Sequence, residues 1–173
     1  MISVRLRVIG VLARWLLAER RRAPVAEDRL ELRCWPWDCD ILGHMNNARY
    51  LSLMDVARWH FTFASGLWRR FRDTRAFPVM VRCEIDFRRS IKPFERFSLV
   101  TRPHRAGGRS VVVSQRFLVG DQVAAEALVT LTFIRGGRPA EVSAVLDALP
   151  HLAATTPPLS ASLNVRNDGE TRI

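Results

Sequence analysis

The sequence predicts an α+β domain in which one antiparallel sheet of about five strands wraps around a single long helix. Three observations predict it. The stretch from Asn47 to Ala64 is apolar on nearly every side at helical spacing, the segments after Phe77 alternate at period two, and Gly107-Gly108 and Gly120-Asp121 mark turns between the later ones. A chain of 173 residues, 48% of them apolar, can also bury one core without disulfide or metal staples.

Taken in order, residues 1–24 stand apart as a basic amphipathic helix. Arg7, Arg14 and Arg21 fall in one stripe of an otherwise apolar cylinder, with six Arg against one Glu. The segment is too short and too interrupted to span a bilayer, and Arg14 and Glu19 to Arg22 stand where a secretory signal would want apolar and small residues. It reads as a peripheral contact with a membrane surface or as a helix packed on its own domain or a second copy. The domain proper is expected over residues 25–150. Arg29 to Trp35 alternates as a first strand with Leu30, Leu32 and Cys34 on one face, and Pro36 stops it. In the helix from Asn47 to Ala64, Ser52, Asp55, Arg58 and Thr62 form one polar stripe. Ser65 to Phe77 reads as a basic loop or broken helix.

The period then becomes two. Val79, Val81, Cys83, Ile85 and Phe87 face one way and Arg82, Glu84, Asp86 and Arg88 the other, until Pro93. Strands from Glu95 to His104, Arg109 to Val119 and Gln122 to Ile134 follow, and Gly136-Gly137 is expected to close the sheet. The reading is of four antiparallel strands joined by consecutive hairpins, then a short helix from Ala140 to Leu149 and a loose tail over residues 151–173.

Net charge is +10, and every basic residue but Lys92 is arginine. Such a surplus suits a polyanion, yet no recognised nucleic-acid motif accompanies it, so no nucleic-acid partner is expected. Three cysteines, Cys34, Cys39 and Cys83, form no C-x-x-C pair, which argues against a disulfide framework or a structural zinc and for a reducing compartment. Trp35, Trp37 and Trp59 read as core or pocket lining.

The chemistry is concentrated in Trp37-Asp38-Cys39-Asp40-Ile41-Leu42-Gly43-His44-Met45-Asn46-Asn47-Ala48-Arg49-Tyr50, just before the buried helix. A helix cap by Asn46 or Asn47, with Asp38 and Asp40 facing the positive helix start, explains one Asn and one Asp. It leaves His44 and the second Asp without a purpose. A metal site from Asp38, Asp40 and His44 lacks further ligands at metal spacing, so neither metal nor cofactor is expected. A Cys39 nucleophile is disfavoured because flanking carboxylates stabilise the thiol over the thiolate. Acid/base or nucleophilic work by one carboxylate remains, with unpaired helix-start N–H groups polarising a carbonyl.

The pattern D-x-D-x-x-G-H-M-N-N-A-R-Y, leading into Met54-Asp55 and Ala57-Arg58, resembles the hotdog-fold acyl thioesterases of the 4-hydroxybenzoyl-CoA thioesterase type, especially the group named thioesterase superfamily member six. The H-x-N-N core is also similar to plant acyl-carrier-protein thioesterases. The likeness runs from about Arg29 to Arg135 and implies a curved sheet around a central helix, with protomers paired into a homodimer or homotetramer whose sites lie between them. It implies hydrolysis of a fatty or aromatic acyl-CoA to free acid and CoA, or less favourably of acyl carried by a protein. Asp40 corresponds to the catalytic carboxylate, His44 to an assisting imidazole, and the Asn47 peptide N–H to the donor that polarises the thioester carbonyl. Asn46 and Tyr50, in the same motif, are expected on the substrate side. Leu42 departs from the plant pattern, which carries Asn there, so the plant Asp-Asn-His network does not transfer intact. Arg88, Arg89 and Lys92 form a patch suited to CoA phosphates, and Arg105 with Arg109 a second. The alternative is a catalytically inactive acyl-thioester binder or membrane-docked scaffold of the same fold. The expected location is cytoplasmic, with residues 1–24 touching the inner membrane face.

Overall fold

The structure, a computed structural model, describes Gly10 and residues 25–146. The expectations for the basic helix of residues 1–24, for the end of the last helix and for the tail fall outside the described residues. One curved antiparallel sheet carries strands β1 (Asp28–Arg33), β2 (Phe77–Phe87), β3 (Arg96–Gly107), β4 (Ser110–Val119), β5 (Gln122–Arg135) and β6 (Arg138–Ala140). Helix α1 (Asn47–Ala64) lies against it, followed by α2 (Leu67–Thr74), and α3 (Ser143–Leu146) comes after the last strand.

Helix α1 forms because its sequence is capped at both ends and buried between them. The Asn46 side chain accepts the Ala48 N–H at 2.9 Å, and the Ser65 hydroxyl donates to the Phe61 carbonyl at 2.7 Å. Gly66, at φ +82°, turns the chain into α2, so the expected broken helix is a full eight-residue helix. The first half of α1, through Tyr50, Leu53, Met54 and Ala57, packs on Leu30, Phe97, Leu99, Phe117 and Val129 of the sheet. Its second half shares another cluster with Phe71, Val111, Val113, Phe133 and Val145.

The strand order is β1-β3-β4-β5-β2, which corrects the expected run of consecutive hairpins. Both edges of β3 are taken, by β1 through Leu30↔Leu99 and by β4 through Leu99↔Phe117, so β2 pairs with the free edge of β5 through Cys83↔Val129. Residues 88–95 therefore cross the end of the sheet. Ile91 on this crossing is fully buried and its carbonyl accepts the Met45 N–H at 2.8 Å, while Phe94 N–H donates to the Cys34 carbonyl at 2.7 Å. This crossing brings the Arg88 to Lys92 segment beside the loop that precedes α1.

Two further expectations change. The β2–β5 register slips between Met80 and Arg82, which inverts the pleat. Cys83 and Ile85 stay inward, but Val79 and Val81 are exposed, and Pro78 and the half-exposed Met80 border an apolar cavity instead. Gly136-Gly137 does not end the sheet but turns it into β6, and Ala140 belongs to that strand. The polar stripe of α1 is exposed at Asp55 but closed over further along. Thr62 is buried and Arg58 is largely enclosed, donating to Gln115 Oε1 at 2.8 Å and Asp55 Oδ1 at 3.1 Å. Gln115, fully buried, donates in turn to the Met54 carbonyl and Thr101 Oγ1. These bonds are what make a charge in the interior tolerable. Among the described residues no helix is long and apolar enough to cross a membrane.

Candidate active site

The loop between β1 and α1 closes on itself. Cys39 and Met45 form an isolated antiparallel bridge, the Asp40 N–H donates to the His44 carbonyl at 3.0 Å, and the Gly43 N–H returns to the Asp40 carbonyl at 3.1 Å. Gly43 takes φ +75° at this reversal, a conformation a β-carbon would disfavour. Asp40 and His44 thus stand at the two ends of one tight turn. The Leu42 N–H occupies Asp40 Oδ1 at 2.9 Å, which leaves Oδ2 directed at His44 Nδ1, 3.6 Å away.

The two aspartates of the motif diverge in role. Asp38 is 1% exposed, accepts the Trp35 N–H at 2.9 Å on Oδ2, and has Oδ1 3.6 Å from Arg49 Nε. Its carbonyl also accepts the Asn46 N–H at 2.9 Å, so Asp38 holds the 3₁₀ turn Pro36–Asp38 against the first turn of α1. Of the two asparagines expected to cap α1, Asn47 does not, and neither carboxylate takes that place. Asn46 does that. The Asn47 N–H, at the first helical position, has no intrahelical acceptor and no partner among the described residues. It carries the positive end of the helix dipole outward.

Asn46→Ala should cost about 1 kcal/mol of stability in urea melts, because one helix-start donor loses its acceptor. Asn47→Ala, whose exposed side chain caps nothing, should stay within about 0.5 kcal/mol.

A cleft of about 200 Å³ opens at this helix start, lined by His44, Asn47, Tyr50, Phe87, Arg88 and Arg89 among others. Five of the residues expected at the site are therefore brought together. Asp40, Asn46 and Lys92 are not in its lining; Asp40 is connected to it through His44 and Asn46 through its cap. Tyr50 is 2% exposed, with its ring edge-on to Phe87 at 5.0 Å, and burial pushes its phenol up to about 12. It presents a neutral hydroxyl rather than a base. Arg88 pairs with Glu126 at 3.0 Å, and Arg89 grips both oxygens of Glu95 at 2.5 and 3.1 Å. Those bonds hold the Glu95 carboxyl below its ordinary range and raise the Arg89 guanidinium. Lys92 is exposed, and its backbone N–H donates to Glu95. Of the second arginine pair, Arg109 is bonded to Glu141 at 3.2 Å.

Sequence reasoning missed Phe87 and Ser90 as cleft residues, because only the crossing of residues 88–95 brings them there. It also missed an apolar cavity of about 110 Å³ further along α1, between Arg58, Trp59, Phe71, Met80, Val113 and Phe133. Burial lowers the Arg58 guanidinium against the opposing pull of Asp55. No spacing singles out Gln115, the residue that anchors Arg58, from the other polar positions of β4. Trp59 does line that cavity, but Trp35 and Trp37 are exposed, which corrects their reading as core.

Three comparisons bear on this geometry. The family model of the thioesterase-like superfamily matches residues 34–149. Protein THEM6 of Xenopus laevis is 34% identical over 134 residues, covering 73% of this chain and 64% of its own length. The chain thus spans less than two thirds of that relative. Long-chain acyl-CoA thioesterase FadM of Escherichia coli (strain K12) is 29% identical over 97 residues, covering 55% of this chain and 74% of its own. The crystal structure of the probable thioesterase YbaW from Escherichia coli superposes with a TM-score of 0.67 at 23% identity, covering 72% of this chain and 96% of that one, and it shares the hotdog fold.

Proposed function

Since the chain belongs to the thioesterase-like superfamily, we propose that it is a thioester hydrolase that converts a fatty or aromatic acyl-CoA to free acid and CoA. The observation that carries this reading is the turn in which Asp40 and His44 meet 3.6 Å apart at the start of α1, beside an Asn47 N–H that none of the described residues occupies. A thioester carbonyl seated in the cleft accepts from that N–H, and the helix dipole adds to its polarisation. Asp40 then either takes a proton from a water that attacks the carbonyl carbon, or attacks it directly to form an acyl anhydride that water cleaves. In both routes the tetrahedral oxyanion collapses by breaking the carbon–sulfur bond, and the CoA thiolate leaves and takes up a proton. His44 orients the water or the carboxylate. The apolar cavity along α1 offers room for the acyl group.

CoA phosphates are the partners proposed for Arg88, Arg89 and Lys92. Arg88 and Arg89 already hold carboxylates, so binding requires exchange of Glu126 and Glu95 for phosphate oxygens. Residues 1–24 provide the proposed peripheral membrane contact.

The functional unit is proposed to be a homodimer formed along β2. This edge strand exposes Phe77, Val79, Met80 and Val81, and its outer edge has no strand partner among the described residues, so that pairing with a second copy would cover it. Val81→Lys places a charge in that edge and should convert the dimer to monomer in light scattering, with loss of turnover. A dimer of unchanged stability would place the interface elsewhere. Hydrolysis itself is tested by thiol release from a panel of acyl-CoA chain lengths; absence of release from every member favours the scaffold reading.

A further inference from the structure

An aromatic cluster projects from the end of the molecule that carries the β1–α1 loop. Trp35 and Trp37 stack with centroids 5.3 Å apart and planes 11° off parallel, and Phe94 meets Trp35 edge-on at 6.3 Å. Stacking does not bury them. Trp37 remains 57% and Phe94 58% exposed, and the adjoining turn adds Leu42 at 75% and a fully exposed Ile41. Apolar side chains on a monomeric surface are ordinarily scattered singly, whereas the three rings, from two chain segments, are contiguous, and Ile41 and Leu42 follow Trp37 by four and five positions. Phe94 also takes φ +66°, the left-handed region that a side chain with a β-carbon disfavours. The bonds on either side, Phe94 N–H to the Cys34 carbonyl and Glu95 N–H to the Lys92 carbonyl, hold it there.

Cations surround the base of the cluster. The Arg33 guanidinium lies 5.8 Å from the Trp35 ring centroid, Arg33 and Arg96 are cross-strand neighbours, and Arg49 donates to the Trp37 carbonyl at 3.2 Å. Lys92 and Arg96, two positions before and after Phe94, are both exposed. This layering suits a lipid headgroup boundary. Indole rings favour that depth, Ile and Leu at a protruding tip enter the acyl region, and guanidinium and ammonium groups behind them meet lipid phosphates. A protein partner would instead need a surface shaped around a two-residue apolar tip, and a bilayer needs none.

We propose that this end of the molecule docks on an anionic lipid bilayer through Trp37, Ile41, Leu42 and Phe94. The contact is separate from residues 1–24 and does not depend on the hydrolase reading. It holds the β1–α1 loop, and with it Asp40 and His44, at the membrane surface.

The test uses the full chain with vesicles of phosphatidylcholine, with and without phosphatidylserine, in a sedimentation assay. Native protein should partition onto the anionic vesicles, and the Trp37→Ala/Ile41→Ser pair should weaken partition on the order of tenfold, with thermal unfolding unchanged. Arg33→Gln/Lys92→Gln should remove most of the preference for phosphatidylserine. As a second readout, in a Trp15→Phe background that silences the tryptophan of residues 1–24, lipids brominated on the acyl chain should quench tryptophan fluorescence, and adding Trp35→Phe/Trp37→Phe should abolish most of that quenching. Unchanged partition and unchanged quenching in these variants would overturn the proposal and leave residues 1–24 as the membrane contact. Conversion of an oligomer to monomer by Trp37→Ala/Ile41→Ser, with vesicle binding intact, would overturn it in favour of a subunit interface.

Discussion

Asp40→Asn is expected to reduce acyl-CoA turnover by about 10²- to 10⁴-fold while the protein remains folded, the range spanned by loss of a positioned general base. The substitution is informative because of the two different tasks of the side chain. Oδ1 accepts the Leu42 N–H at 2.9 Å and holds the turn, a role an amide oxygen can take over, whereas Oδ2 faces His44 and supplies the negative charge, which an amide cannot. Turn geometry and melting temperature should therefore survive while hydrolysis does not. Asp40→Ala removes both roles and should lose some stability in addition. Asp38→Asn should behave in the opposite way. Its carboxylate is buried between the Trp35 N–H and Arg49, so folding suffers first and the folded fraction retains turnover. His44→Ala is expected to lose less than Asp40→Asn, since it orients rather than supplies the base. Turnover by folded Asp40→Asn within a few-fold of native would refute the assignment. Single-turnover hydrolysis in oxygen-18 water can then reveal the anhydride route, because water attack on the aspartyl carbonyl of the anhydride leaves label on the Asp40 carboxylate, which the general-base route cannot do.

The elements that bear on this prediction differed in how well they could be read. Motif, loop and α1 were legible because their signals are local: a dense cluster of polar residues, a glycine at the reversal and an Asn at the cap act within a few positions of one another. Which aspartate does which task was not legible from the bare residues. Asp38 and Asp40 are two positions apart and chemically identical, and only their partners, Arg49 in one case and His44 in the other, separate them. The place of β2 was hidden for a different reason. Alternation reports which face of a strand is inward but not which edge it joins, and Pro93 looks the same before a hairpin as before a crossing. The inversion at Val81 follows from a one-residue slip against β5, which two-residue periodicity cannot register. Trp35 and Trp37 were misread because aromatic residues beside a strand are usually core, and exposure at a loop tip is a tertiary property. The crossing of residues 88–95 is what unites these points, since it delivers Arg88 and Arg89 to the helix start and also presents Phe94 outward.

Phe117→Ala is expected to have the largest effect on stability, about 3 to 5 kcal/mol in urea denaturation. Phe117 is fully buried on the sheet face that carries α1, paired with Leu99 on one side and Ala125 on the other. Its ring lies 4.8 Å from Tyr50 and is stacked on Phe97 at 5.8 Å. The neighbours are rings held by backbone ladders and by α1, so collapse into the vacated space is restricted and most of the cavity cost is retained. Set against a total of about 5 to 15 kcal/mol for a domain of this kind, the loss is a large fraction of what keeps the chain folded. Phe94→Ala, which removes an exposed ring, should change stability by only about 0.5 kcal/mol. The comparison separates ring burial from aromatic character as the source of the effect. Function should follow packing here. Tyr50 lines the cleft and is held on one side by Phe117 and on the other by Phe87, so removing Phe117 frees the wall against which a thioester would be oriented. Turnover of the folded fraction should then fall mainly through kcat, since misplacement of reacting groups by an ångström is costly even when binding persists. A loss under about 1 kcal/mol would mean that the first half of α1 is anchored elsewhere, and the Arg58–Gln115 bonds would become the next place to look.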